Sequence, residues 1–200
     1  MSIADTRGLA GLTMRAVSQK LGAEAMSLYR HVRDKDDLLD GIVDLVYGEI
    51  ALPRAGSEWR NALRRYALSS RDALRRHPWA IALMEARARP GPENLRHHDA
   101  VLGVLRAAHF TPLTATRAYN LVDSYVYGFA LQEASLPFST PEELAQLAAV
   151  MLRELPGDAY PYLRETATEL AASRFDYANE FEGGLDLILE GLERTSRGRA

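Results

Sequence analysis

The chain reads as an all-α protein. Apolar residues recur every three to four positions from end to end, helix-start signals punctuate the chain, and no stretch alternates at period two for long enough to make a strand. Two hundred residues with 47% hydrophobic and 26% charged content are ordinary for a globular protein and suffice for a sizeable core. Cysteine is absent, which removes a disulfide framework, a thiol nucleophile and any cysteine zinc site. No apolar run approaches the ~20 residues of a membrane span and no charged-then-apolar leader opens the chain, so a cytoplasmic location is expected. Lys occurs only at positions 20 and 35 against many Arg, and Ala is abundant, which fits a GC-rich genome.

The first elements form a compact helix-turn-helix. Thr13 can cap a helix whose inner face is Val17 and Leu21, and Gly22 supplies the positive φ that ends it in one step. A second short helix is expected from about Glu24 to His31, with Ala25, Leu28 and Val32 inward and Met26, Ser27, Arg30 and part of Tyr29 on the open side. Such a helix fits a major groove with its N-terminal residues against base edges. Asp34 caps a third helix, with Lys35 in its first turn and Leu38, Leu39, Ile42, Val43 and Val46 as its buried stripe. Acids cluster behind the groove-facing edge at Asp34, Asp36, Asp37, Asp40 and Asp44, and the first fifty residues carry more acids than bases. The DNA-binding reading therefore rests on motif and local placement, not on bulk charge.

Beyond a short linker, Leu52 to Gly56, the helical period continues. Ser57 is expected to cap a long helix to about Arg76, with Leu63, Tyr66, Ala67, Ser70 and Leu74 on one side. Pro78 opens a second helix with Trp79, Leu83 and Met84, and Pro92 a third with Leu95, Val101, Leu102 and Leu105. Thr111-Pro112 begins a helix to about Ser135, Thr140-Pro-Glu-Glu143 is a capping box, and Ser173 is expected to cap a terminal helix carrying Phe175, Ala178, Phe181, Leu185, Ile188 and Leu192. The chain is expected to divide at this linker into two domains, 1–50 and 57–200.

The run Gly11-Leu-Thr-Met-Arg15, the Leu21-Gly22 pair, Leu28-Tyr-Arg-His-Val-Arg-Asp-Lys35 and Leu38-Leu39 together resemble the tetracycline repressor (TetR) family of transcriptional regulators. The resemblance implies a dimeric, ligand-responsive repressor that binds a palindromic double-stranded DNA operator and is released by a small molecule, with no catalytic role and no cofactor. It assigns DNA contact to Thr13, Arg15, Ala25, Met26, Ser27, Tyr29, Arg30, His31 and Lys35, with Ala25, Met26 and Arg30 setting the operator sequence. Each has a plainer reading: Tyr29 can cover the core edge, His31 can pack beside Val32, and Arg15, Arg30, Arg33 and Lys35 can be a solvated face. One departure concerns the first helix. Only about ten residues precede Gly11, so the family's bracing helix is expected to be truncated, leaving Val17, Leu21 and Leu28 under-covered and the domain loosely held.

The resemblance also implies that two helices, at 112–135 and 174–195, pair across a dimer interface formed by Tyr125, Phe129, Phe181, Leu185, Ile188 and Leu192. Gly183-Gly184 within the second fits close approach of another backbone; burial inside one subunit is the alternative. From residue 57 onward the chain weakly resembles the tetracycline-binding branch, but the positions of that branch's ligand-binding Asn and metal-binding His fall near Tyr66 and Met84. Neither tetracycline nor magnesium is therefore expected. An effector site is expected from composition at Tyr66, Trp79, Leu83, Met84, Leu102, Tyr119, Asp123 and Tyr127, with Asp123 as the lone acid in an apolar turn. His97-His98 reads as a solvated pair, since adjacent helical residues diverge by about 100° and cannot easily grip one ion, so no metal is expected. The competing class is an all-α enzyme or small-molecule-binding protein with an incidental helix-turn-helix. It would need an acid/base or nucleophile set in the C-terminal half, and none stands at useful spacing.

Overall fold

A computed structural model of the chain describes residues 1–86, 89–157 and 159–197, without the side chains of Ala25, Glu85, Ala86, Thr195, Ser196 and Arg197. Among the described residues all regular structure is helical: α1 (Ser2–Gly11), α2 (Met14–Leu21), α3 (Ala25–Leu28), α4 (Lys35–Gly48), α5 (Trp59–Arg76), α6 (Ala80–Ala86), α7 (Pro92–Ala107), α8 (Pro112–Ser135), α9 (Pro141–Glu154), α10 (Pro161–Ala172) and α11 (Tyr177–Arg197). The chain divides into two compact units, Met1–Ala134 with Leu187–Ala200, and Ser135–Asp186. No helix among the described residues is long and apolar enough to cross a membrane.

The head follows its local signals closely. Thr13 Oγ1 accepts from Ala16 N at 3.1 Å and starts α2, and Gly22 ends it at φ +64°, a left-handed conformation that costs glycine no Cβ clash. Asp34 Oδ1 accepts from Asp37 N at 2.8 Å and starts α4. The cluster that holds the head consists of Ile3, Leu12, Leu39 and Ile42, with Leu9, Ala16, Val17, Leu38, Trp79 and Leu83 packed against it. Side chains of this size contribute about 1.5–3 kcal/mol each when fully buried.

Two expectations about the head change. The segment before Gly11 folds as a helix, broken at Gly8, that buries Ile3 and Ala4. Val17 is consequently packed and Leu28 buried, so neither is under-covered, whereas Leu21, assigned by its period to the inner face, is 66% exposed. The second motif helix is also shorter than the expected 24–31. Regular α-helix stops at Leu28, and tight turns carry the chain through His31.

In the helical core, α5 buries Leu63, Tyr66, Ala67, Ser70 and Leu74 as its period predicts. Its start is not at Ser57, because the Glu58 carboxylate reaches both Arg60 N (2.8 Å) and Asn61 N (2.9 Å) and takes the cap. Across α5 and α8, Arg71 donates through Nε (3.0 Å) and a terminal nitrogen (2.5 Å) to Glu133 and lies 4.9 Å over the Phe129 ring. Arg60 joins α5 to the end of α11 through Glu193 at 3.1 Å.

In the second unit, the Thr140–Glu143 capping box opens α9 as expected, and α10 packs against α9. Helix α10 has no counterpart in the sequence reading, and Ser173 ends it instead of capping the next helix. Asp176 starts α11 by accepting from Ala178 N at 3.0 Å.

Candidate functional site

Two groups of side chains stand out, one exposed on the head and one buried in the core. On the head, Thr13, Arg15, Met26, Tyr29, Arg30, His31 and Lys35 are exposed and Ser27 is half-buried, while Ala25 opens α3 with its side chain outside the described residues. Met26 at 75% and Tyr29 at 49% are large apolar surfaces for water to cover, so neither is serving the core. The Ser27 hydroxyl donates to Glu24 O at 2.7 Å and keeps its lone pairs for an external donor. Arg33 differs from its neighbours. Its guanidinium and its backbone N–H both bond Asp37 at 2.9 Å, which commits it to the start of α4 and holds the Asp37 carboxyl below its usual range. The edge left open is thus a line from the N-terminus of α2 through α3 to the N-terminus of α4. Helix N-termini and basic side chains in that arrangement can meet a phosphate backbone, with α3 presented to base edges.

In the core, helical spacing aligns Tyr119, Asp123 and Tyr127 on one face of α8. Tyr66 on α5 donates its hydroxyl to Asp123 Oδ1 at 3.2 Å, and Tyr47 near the end of α4 shares a hydrogen bond of 3.0 Å with Tyr127. Tyr119 hydrogen-bonds within the same group and stacks on His98 at a ring separation of 4.0 Å. Burial pushes the phenols of Tyr66, Tyr119 and Tyr127 well above their ordinary value, and the Asp123 charge adds to it. These hydroxyls stay neutral at any working pH. His97 on α7 has its ring centroid 6.4 Å from that of Tyr66, is only 2% exposed, and has no partner for Nδ1. Burial lowers its pKa, and a buried nitrogen left without a partner costs about 1–3 kcal/mol.

Of the eight expected effector residues, Tyr66, Tyr119, Asp123 and Tyr127 converge in this nest. Met84 is buried beside a small cavity that it lines with Tyr47, Gly91 and Asn94, and Leu102 is half-buried on α7. Trp79 and Leu83 lie elsewhere, against the head cluster. The indole of Trp79 donates to Asp5 Oδ1 at 2.6 Å, as part of a clasp in which His77 faces Asp5 through Nδ1 (2.6 Å) and Glu49 through Nε2 (3.2 Å). The reading of His97-His98 as a solvated pair is overturned, since His97 is buried and His98 is half-buried under Tyr119. Among the described residues no group of three His, Cys, Asp or Glu could hold a metal ion. The sequence does not mark Tyr47 and His97 as effector residues, because only the tertiary fold brings α4 and α7 to α8.

The expected dimer residues differ in their burial. Phe129, Phe181, Leu185 and Leu192 are buried within the single chain, so packing inside the subunit already accounts for them. Tyr125 and Ile188 are half-buried. Outward apolar residues on these helices include Leu113, Leu121 and Leu131 on α8, at 59%, 47% and 56% exposure, and Leu187 on α11 at 72%, and a Cβ added at Gly128 or Gly183 would meet nothing within 4 Å.

Comparison with known proteins gives a consistent picture. A family profile described as "Tetracyclin repressor-like, C-terminal domain" matches residues 52–196. An HTH-type transcriptional regulator of Saccharopolyspora erythraea is 32% identical over 98% of this chain and 82% of its own length. The HTH-type transcriptional repressor DrrR1 of Streptomyces coeruleorubidus is 34% identical over 96% of this chain and 74% of its own. The crystal structure of the Streptomyces coelicolor TetR family protein ActR in complex with actinorhodin superposes with a TM-score of 0.80 at 26% identity, covering 98% of this chain and 93% of that one.

Proposed function

The chain belongs to the TetR family of transcriptional regulators and is not an enzyme; from that premise we propose that it is a dimeric repressor that grips a palindromic operator and lets go when a small molecule enters its core. Residues 1–50 do the gripping, and residues 57–200 hold the effector and the partner subunit. The observation that carries this reading is the pairing of an exposed edge running from Thr13 to Lys35 with a buried polar nest beside His97, whose Nδ1 has no partner.

On the head, Arg15, Lys35 and the hydroxyls of Thr13 and Tyr29 suit phosphate contact, while Met26, Ser27 and Arg30 suit base edges. In the core, neutral phenols around the Asp123 carboxylate favour a neutral, hydroxyl-bearing aromatic molecule over an anion. The solved complex of ActR with actinorhodin gives a small-molecule ligand a precedent among similar proteins. For assembly, the exposed Leu121 and Leu187 offer an apolar contact that a second copy would cover.

Selection of duplexes from a random-sequence pool tests the DNA reading, with enrichment of an inverted repeat as the expected result. A set of neutral hydroxyaromatics is then screened for compounds that raise the melting temperature and release the selected duplex. Failure to enrich any sequence overturns the repressor reading. Enrichment of a single half-site with no symmetry overturns the dimer.

A further inference from the structure

Helix α4 belongs to the head at one end and to the core at the other. Leu39 and Ile42 sit in the head cluster, while Tyr47 bonds Tyr127 in the nest. Between them stands Asp44, and its carboxylate does an unusual job. Helix α7 starts after Gly91, which has no side chain to cap it. Asp44 Oδ1 supplies that cap from another helix, accepting from Glu93 N at 3.0 Å and Asn94 N at 3.1 Å. The first turn of α7 thus owes two of its orphan donors to the position of α4.

Glycine at 91 is what admits this arrangement. A Cβ there would lie 2.2 Å from Asp44 Oδ1 and 2.8 Å from Asp44 Cβ, so any side chain would evict the carboxylate. The backbone at Gly91 has φ −76°, which every residue can adopt, so close approach and not conformation requires the glycine. One turn beyond Asn94, α7 carries His97, whose ring lies 6.4 Å from that of Tyr66 and whose Nδ1 has no partner.

Resting on the reading of this chain as an effector-released DNA-binding protein, we infer that Asp44 is the positioning residue that couples the nest to the head. A molecule that bonds His97 and shifts α7 can keep the two cap bonds only if α4 follows, and α4 moves the head cluster with it. By reciprocity, DNA that reorients the head must be felt at the start of α7, so the coupling can be read from the DNA side without knowing the effector.

The test uses the full chain and a duplex that the protein has itself selected from a random pool. Hydrogen exchange at the Glu93 and Asn94 amides is measured with and without that duplex. In the wild type, DNA should change protection at both amides by threefold or more. Asp44→Ala removes the acceptor and Gly91→Ala displaces it, and both should still bind the duplex within threefold of wild type while losing the response. Asp44→Asn keeps a carbonyl acceptor and should retain much of it. Thermal unfolding confirms that each variant folds. An unresponsive wild type overturns the coupling, as does a response that persists in folded Asp44→Ala. Failure to select any duplex overturns the regulator reading and the coupling with it.

Discussion

The head and the core use polar side chains in opposite ways. Around α3 the polar groups point outward and the helix itself is only four residues long, shorter than could persist on its own propensity. Along one face of α8 Asp123 and Tyr127 are instead bonded inside the core, Asp123 to Tyr66 and Tyr127 to Tyr47. The head side chains proposed to recognise DNA therefore do little for stability, whereas the core residues proposed to meet the effector also hold the packing together. Mutations should separate cleanly at the head and become entangled in the core.

The sharpest way to break that contrast lies on α11, where neighbouring leucines have opposite surroundings. Leu185 is fully buried and Leu187 is 72% exposed. Leu185→Glu should abolish cooperative unfolding, because its carboxylate would be desolvated without a partner. Leu187→Glu should keep the wild-type melting temperature within a few degrees yet scatter light as a monomer and bind operator about 10²-fold more weakly. A dimeric Leu187→Glu protein would place the subunit contact on another surface.

Next comes the buried ion pair. Arg71→Ala would leave Glu133 with only the longer contact to Arg75 at 3.8 Å, and urea denaturation should show a loss of about 3–5 kcal/mol. A loss below about 1 kcal/mol would mean that the carboxylate finds water or another donor. At the head, Arg30→Ala should cost about 1–3 kcal/mol and relax preference at one operator position, whereas Lys35→Ala should weaken all sequences alike and reduce the salt slope by about one. Equal, sequence-blind losses would remove Arg30 from base reading.

The clasp between head and core gives a pH signature. Burial raises the Asp5 carboxyl, but hydrogen bonds from Trp79 and His77 outweigh it, and Arg76 with His77 lowers Glu49; both end below their ordinary values. Carboxyls lowered by folding stabilise the protein above their unfolded values of about 4, and that contribution disappears as pH falls through the lowered folded values. Asp5→Asn should therefore lose stability near neutrality and converge with wild type in acid, as followed by the fluorescence of Trp79. A constant difference across that range would mean that the Asp5 charge plays no part. Smallest of all, Leu21→Ala should change stability by no more than about 0.5 kcal/mol, despite the helical period that assigns it to the inner face.

What the sequence reveals follows the range of the interaction involved. Thr13, Gly22, Asp34 and Thr140 act on backbone within four residues, so their caps are legible from the chain. Ser57 misleads because the neighbouring Glu58 has the longer reach, and α10 is marked only by Pro161 at its start, since Tyr160 supplies no side-chain cap. In the nest, Tyr119, Asp123 and Tyr127 share a helix face and can be read from their spacing, with Tyr66 found as a polar-tipped residue on an apolar stripe. Tyr47, His97 and Asp44 take their roles from packing between helices distant in sequence. Trp79 and Leu83 have the composition of a pocket wall, but α6 turns them to the head cluster.

The three suppressed phenols of the nest give the protein an optical property. Tyr66, Tyr119 and Tyr127 resist ionisation because they are dry and face a carboxylate. In an alkaline spectrophotometric titration they should form no phenolate until the core admits water. The extra phenolate absorbance that appears when they ionise then marks the opening of the core, in a chain that carries no added dye.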